Sequence, residues 1–327
     1  MKKEDLRIVF MGTPEFAVET LRALVENQFQ VVAVVTQPDK PVGRHGSTLQ
    51  APPVKQYAME HGLPVLQPEK MKDPAFVETL RGYHADVQVV VAFRMLPEVV
   101  WAMPPLGTFN VHASLLPQYR GAAPINWAII NGETRTGVTT FFLDHDIDTG
   151  RIIMQEPFDI PDTADAEYVY DGLMRLGATI CLKTLDTIAA TNGKPDTMAQ
   201  DATLASPQDS LKAAPKLFKE TCEVNWRMTA KQVYDFVRGL SPYPGAWTSL
   251  TAPDGRETTL KLFRTTKTTL PATVEPGTIV VDRRQLFIAA SDALLQINEL
   301  QLAGKKRMDA AAFLNGMNGF DAYRAKI

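Results

Sequence analysis

Only two cysteines, Cys181 and Cys222, occur in the 327 residues. They are too few and too far apart for a disulfide framework or a zinc site, so both are expected to be reduced and structural. No apolar run is long enough to span a bilayer. The opening MKKEDLRIVF passes from charged residues directly into a strand pattern, with no secretory core or cleavage site. The expected compartment is the cytoplasm, with no membrane partner. Internal repeats and low-complexity tracts are also missing. With 45% hydrophobic and 22% charged residues, the composition excludes a disordered chain. The length exceeds what one hydrophobic core usually serves, which implies two domains.

The small net charge of -3 conceals an asymmetry. Residues 1–210 hold 17 Lys and Arg against 26 Asp and Glu, a net -9, whereas residues 211–327 hold 17 against 11, a net +6. A basic last third on an acidic body fits a polyanionic partner or a plain solvated face.

The segment LRIVFMGTPEFAVETLRALVENQFQVVAVVT reads as strand, turn, helix, strand, with Thr13 as N-cap and Pro14 at the first helical position. The runs VVAVVT and VQVVVAF suit central strands of a parallel sheet, so a Rossmann-like doubly wound α/β domain is expected. Its first turn, GTPEFA, lacks the GxGxxG of dinucleotide binders. Helices are expected at GAAPINWAIINGE and AEYVYDGLMRLGATICLKTLDTIAA, with a strand pair, TGVTTFFL and RIIMQEPFDI, between them. This first domain spans residues 1–190. A polar linker, residues 191–210, follows. Residues 211–327 combine one helix, AKQVYDFVRGL, with short strands separated by turn residues, as in a small OB-like β-barrel.

The run FNVHASLLP sets Asn110 and His112 two positions apart at the end of an apolar stretch, on one face of a strand. Downstream, FFLDHDIDTG carries Asp144, Asp146 and Asp148. An EF-hand starting at Asp144 needs Gly at its sixth position and Glu at its twelfth, where Thr149 and Gln155 stand, so no metal is expected. Taken singly, each acid fits a solvated loop or a turn cap, and His112 fits a hydrogen-bonded buried imidazole. Together, Asn, His and Asp at neighbouring strand ends of an open α/β sheet would converge where such folds place ligands. A GxSxG elbow is missing, and neither cysteine stands near a candidate base. That argues for direct acyl transfer without a covalent enzyme intermediate, the amide and imidazole stabilising an oxyanion.

FNVHASLLPQYRGAAPINWAI and GVTTFFLDHDIDTGRII resemble the signature of the formyltransferases that use 10-formyltetrahydrofolate. The resemblance implies catalytic roles for Asn110, His112 and Asp148, and a folate pocket lined by Ser114, Leu115, Leu116 and Pro117. MGTPEFAV, TQPDKPVGR, NWRMTAKQVYDFVRGLSPYPGAW and LAGKKRMDAAAFLNG extend it over nearly the whole chain. They point to the branch that formylates initiator methionyl-tRNA for translation initiation. That branch implies 10-formyltetrahydrofolate as formyl donor, tRNA contacts at Arg44, Lys305, Lys306 and Arg307, and no obligate protein partner. Arg94 stands where many relatives have Gly beside the folate pocket. Glycinamide ribonucleotide transformylases share the Asn, His and Asp set but lack such a second domain. The alternative is a sugar-nucleotide N-formyltransferase, which has a similar two-domain layout and the same folate chemistry.

Overall fold

Ile8, Val9, Phe10 and Met11 are consecutive and all buried, so both faces of their strand are covered, as in the centre of a parallel sheet. In the computed structural model, which describes residues 2–42, 48–203 and 210–327, that strand is β1 (Arg7–Gly12). With β2 (Gln30–Val35), β3 (Val65–Leu66), β4 (Val87–Val91) and β5 (Thr108–His112) it forms parallel pairs. β6 (Arg135–Phe142) runs antiparallel to β5, and β7 (Ile152–Asp159) closes the edge. The sheet order is β7-β6-β5-β4-β1-β2-β3. The chain moves outward from β1 and then returns to lay β4 on its other side. Such a reversal opens a crevice beyond the carboxyl ends of the strands.

Gly12 ends β1, and a Cβ there would lie 2.9 Å from the Val91 carbonyl oxygen and 2.7 Å from the Ala17 Cβ. The turn into α1 (Glu15–Glu26) is therefore built on close backbone approach. The helix begins one residue later than expected. Pro14, at φ -81° and ψ 174°, lies outside it and takes the cap position assigned to Thr13. Below the sheet, Phe76, Val77 and Leu80 of α2 (Pro74–Arg81) pack with Val9, Met11, Ala33, Val35 and Val90 in one core.

The chain divides into two compact units, and the division is more interleaved than a cut near residue 200. One unit takes Met1–Gly121, Thr136–Phe158 and Tyr170–Ala213; the other takes Ala122–Arg135, Asp159–Val169 and Ala214–Ile327. The second unit claims α3 (Pro124–Ile130) because α5, below, meets it at a glycine. With α4 (Ala166–Ala190) between them in sequence, α5 (Ala230–Leu240) is opened by a capping box of Thr229 and Gln232. Asn126 Nδ2 donates to the Gly239 carbonyl at 2.8 Å. A Cβ on Gly239 would stand 2.8 Å from Ile130 Cγ1. The segment Asp159–Val169 is held likewise, Arg238 Nη1 donating to the Ala164 carbonyl at 2.8 Å and Tyr234 Oη to that of Asp162 at 2.9 Å.

The second unit's main strands are β8 (Ala246–Thr251), β9 (Glu257–Pro271), β10 (Ile279–Asp282), β11 (Gln285–Ala289), β12 (Ala293–Leu302) and β13 (Arg324–Ala325), and a two-residue strand, Met308–Asp309, pairs with β12. They form a curled antiparallel sheet in the order β10-β11-β12-β9-β8-β13. Its two edges meet where the Ala325 amide donates to the Gly277 carbonyl at 2.9 Å and Thr278 bridges Arg324. This is the OB-like barrel expected from the spacing of short strands. Alternate residues of β9, β11 and β12, among them Leu260, Leu262, Leu286, Ile288, Leu295 and Ile297, fill its core with Val233, Val237 and Leu240 of α5. Among the described residues no helix is long and apolar enough to cross a membrane. Both cysteines are free and buried, and burial pushes the Cys181 thiol far up.

Trp226 is fully buried, its indole N–H donating to Thr248 Oγ1 at 3.1 Å. Trp226→Ala is expected to cost about 3 to 5 kcal/mol, read from urea unfolding, because it empties the largest side chain from that core.

Candidate active site

β5 ends at the carboxyl edge of the sheet, and the register that pairs Asn110 with Val90 and Phe141, and His112 with Thr139, sets both on one face. His112 is buried. Its Nε2 lies 2.9 Å from the Tyr119 carbonyl oxygen. A carbonyl only accepts, so Nε2 carries a hydrogen and donates it whether the ring is neutral or charged. Nδ1 is left for other chemistry. It faces Asp148 Oδ2 at 3.9 Å, an ion-pair separation longer than a hydrogen bond. Among the described residues, Asn110 Oδ1 is buried without a hydrogen-bond partner. The N–H2 group of that amide is a donor suited to a ligand oxygen.

Asp148 sits at φ +55°, a left-handed conformation costly for a non-glycine residue. It is gripped at both ends. Its Oδ2 accepts the Gly121 amide at 3.1 Å, and its own carbonyl accepts Gln200 Nε2 at 2.7 Å. Asp144 instead caps its own loop, accepting from the Asp146 amide at 3.2 Å and Thr149 Oγ1 at 2.9 Å. Among the described residues no group of three or more His, Cys, Asp and Glu side chains could hold a metal ion.

The SLLP turn is bonded chiefly to the protein itself. Ser114 Oγ donates to the Gln118 carbonyl at 2.7 Å. Buried Thr139 donates to the Ser114 carbonyl at 2.6 Å and accepts the Leu116 amide at 3.1 Å. Gln155 Nε2 reaches the Leu116 carbonyl at 2.8 Å. Ser114, Leu116 and Pro117 are buried, and Leu115 alone of the four is half-buried. Leu115 also lies under Gly137, where a Cβ would meet its Cδ2 at 2.5 Å.

The basic residues fare differently from one another. Arg94 is turned onto backbone, donating to the Pro68 carbonyl and, at 3.0 Å, to that of Glu69, with its guanidinium over Phe93. Lys305 and Lys306 are exposed. Arg307 is not a free cation as expected from the KKR run. Its Nε and Nη2 make a bidentate pair with Glu299 at 2.7 and 3.0 Å, above the Phe263 ring. The return from β12 into the Met308–Asp309 strand sets the two side by side, since Glu299 pairs with Asp309. Arg44 lies outside the described residues.

Sequence reasoning missed Tyr119 and Gly121, which act through backbone atoms, and Thr139 and Gln155. It also placed Gln200 in a linker. The stretch is instead folded onto the first unit: Met198 exchanges backbone hydrogen bonds with Ile152 at 2.8 and 2.9 Å, and Gln200 is 4% exposed. Its polarity serves buried carbonyls and an arginine. Two cavities, of about 540 Å³ beside Glu275 and Arg324 and about 420 Å³ beside Met154 and Met198, include none of Asn110, His112 and Asp148 in their linings.

Residues 6–185 match the family model described as formyl transferase, and residues 216–318 match that of the formyl transferase C-terminal domain. The chain belongs to the formyl transferase family. This formyl transferase is 57% identical over 324 residues to the methionyl-tRNA formyltransferase of Parabacteroides distasonis, covering 99% of each chain. It is 54% identical to that of Bacteroides fragilis, over 100% of this chain and 99% of the other. Its fold is similar to that of WlaRD, a sugar 3N-formyl transferase crystallised with dTDP and 5-N-formyl-THF, at TM-score 0.62 and 18% identity over 92% of this chain and 99% of that one. HypX from Aquifex aeolicus, in complex with tetrahydrofolic acid, gives a TM-score of 0.61 at 20% identity over 96% of this chain, which spans 48% of HypX.

The Arg307 pair yields a pH-dependent outcome. Its bonds hold the Glu299 carboxyl below the usual glutamate range, so the stabilisation is present above that range and fades as pH falls through the lowered value. Glu299→Gln, which mimics the protonated acid, should cost up to about 1 kcal/mol at pH 7 for so exposed a pair. In urea unfolding its difference from the parent should close on acidification.

Proposed function

We propose that this protein transfers the formyl group of 10-formyltetrahydrofolate to the amino group of initiator methionyl-tRNA in the cytoplasm. The products are N-formylmethionyl-tRNA, for translation initiation, and tetrahydrofolate. The observation that carries this reading is the 57% identity to a methionyl-tRNA formyltransferase across 99% of both chains. The distant sugar-nucleotide relatives support the fold alone. The donor supplies a formyl group activated on N10. The amine nitrogen bonds to the formyl carbon, the carbon's bond to N10 breaks, and the proton lost by the amine balances the one gained at N10.

The chain's own residues have two tasks. Asn110 N–H2 and a hydrogen on His112 Nδ1 stabilise the formyl oxygen as it gains negative charge. Because Nε2 is committed to the Tyr119 carbonyl, the imidazole serves that oxygen through Nδ1. At 3.9 Å, Asp148 leaves the Nδ1 hydrogen free to point at a third group while supplying favourable charge. The Asp148 carboxylate also accepts the proton that the attacking amine releases. An α-amino group with a pKa of roughly 8 is partly neutral at physiological pH, so selecting the free amine asks less than stabilising the oxyanion.

The SLLP turn, Ser114 to Pro117, borders the folate pocket, offering Leu115 as its accessible side chain. Lys305 and Lys306 of the basic last third of the chain, with Arg44 near its other end, are phosphate contacts for tRNA.

Incubation with 10-formyltetrahydrofolate and methionyl-tRNA should yield formylmethionyl-tRNA, whereas a dTDP-amino sugar offered instead should remain unformylated; the reverse outcome would install the sugar-nucleotide reading. His112→Ala and Asn110→Ala should each lower kcat by about 100-fold, the usual loss for one oxyanion donor, with little change in the KM for folate. Binding of tRNA should weaken with salt. Replacing Lys305 and Lys306 by Ala should flatten the log–log slope by up to about 0.9 for each true duplex contact, measured by filter binding across a salt series.

A further inference from the structure

Gln200 closes a hydrogen-bonded ring around the proposed catalytic pair. Its Oε1 accepts Arg120 Nε at 3.0 Å as well as Arg120 Nη2, and its Nε2 donates to the carbonyls of Asp148 at 2.7 Å and Gly150 at 2.9 Å. Arginine can only donate and a carbonyl can only accept, so the partners themselves settle which end of the amide is oxygen. All four hydrogen-bonding positions of this buried amide are used.

Three consecutive residues tie the ring to the site. The Tyr119 carbonyl receives His112 Nε2, the Arg120 side chain holds Gln200, and the Gly121 amide binds the Asp148 carboxylate at 3.1 Å. Tyr119, at φ +60°, and Asp148, at φ +55°, are both left-handed non-glycine residues, which persist only where surrounding bonds over-determine them. Gly150 admits no side chain, since a Cβ would lie 1.7 Å from the Phe142 carbonyl oxygen. Gln200 is the only side chain among the described contacts that bonds both to the backbone of the Asp148 loop and to a residue of the turn that orients His112.

We propose that Gln200 is a positioning residue for formyl transfer: by bridging Arg120 to the Asp148 and Gly150 carbonyls it sets the spacing and mutual orientation of His112 Nδ1 and the Asp148 carboxylate. This rests on the catalytic roles proposed above for His112 and Asp148. Gln200 touches no reacting atom. Its loss lets the Asp148 loop relax, and misplacement of a reacting group by about 1 Å can cost as much as 100-fold in rate.

In the full-length protein, with 10-formyltetrahydrofolate and methionyl-tRNA as substrates, Gln200→Ala should lower kcat by about tenfold or more while leaving both KM values within about twofold. Gln200→Glu keeps an acceptor for Arg120 but loses both donors to the carbonyls, so it should fail to restore kcat even where its melting temperature matches the parent. In the Asp148→Ala background, Gln200→Ala should cost nothing further. Arg120→Ala reads the same coupling from the other side of the ring and decides the matter if Gln200→Ala does not fold. Parental kcat in Gln200→Glu, or losses that multiply in the double variants, would overturn the proposal. A parental rate in Asp148→Ala alone would instead remove the catalytic reading beneath it.

Discussion

The hydrogen bond from His112 Nε2 to the Tyr119 carbonyl is the constraint around which the site is arranged. It fixes the ring plane, keeps a hydrogen on one nitrogen in either charge state, and confines exchange to the other. To deliver that carbonyl, the chain must leave β5 and fold back within seven residues. The fold-back needs Ser114, Thr139 and Gln155 to absorb the polar groups of the turn and the left-handed Tyr119 to reverse direction. Each of those bonds satisfies a group that would otherwise be buried without a partner, which is why the turn tolerates an uncommon backbone conformation.

The same logic explains why the site is built where the sheet changes partners. β5 is parallel to β4 but antiparallel to β6. The carboxyl end of β5 therefore lies against the middle of β6, His112 opposite Thr139, rather than beside its end, and Asp148 must return on the loop between β6 and β7. That loop has no strand ladder of its own to hold it, so its carbonyls are taken up by a side chain, Gln200, and its carboxylate by a backbone amide, Gly121.

Much of this could be read along the chain, and the limits have physical causes. The helix Ala166–Ala190 coincides with the periodic segment read from the sequence, because its apolar spacing runs uninterrupted. The parallel strands declared themselves as apolar runs buried on both faces, and the barrel strands by alternation between turn residues. Asn110 and His112 were placed on one face by strand periodicity alone. Backbone partners such as the Tyr119 carbonyl leave no mark in a pattern of side chains. Gln200 lies 88 positions beyond His112 in a stretch whose composition resembles a linker. The KKR run read as three equal cations, although a carboxylate eight residues earlier had already claimed Arg307.

The interleaving of the two units bears on how the chain is made. The helix Pro124–Ile130 and the segment Asp159–Val169 belong to a core completed by Ala230–Leu240. A ribosome adding about 5 to 20 residues per second reaches that later helix roughly 5 to 20 s after the earlier one. For that interval Ile130, which packs against the second core, has no surface to bury itself on. The first unit must therefore assemble its sheet while carrying two segments committed elsewhere. Both segments carry polar residues of their own, Asn126 in the helix and Asp159 and Asp162 in the second segment, which water can solvate before that partner emerges.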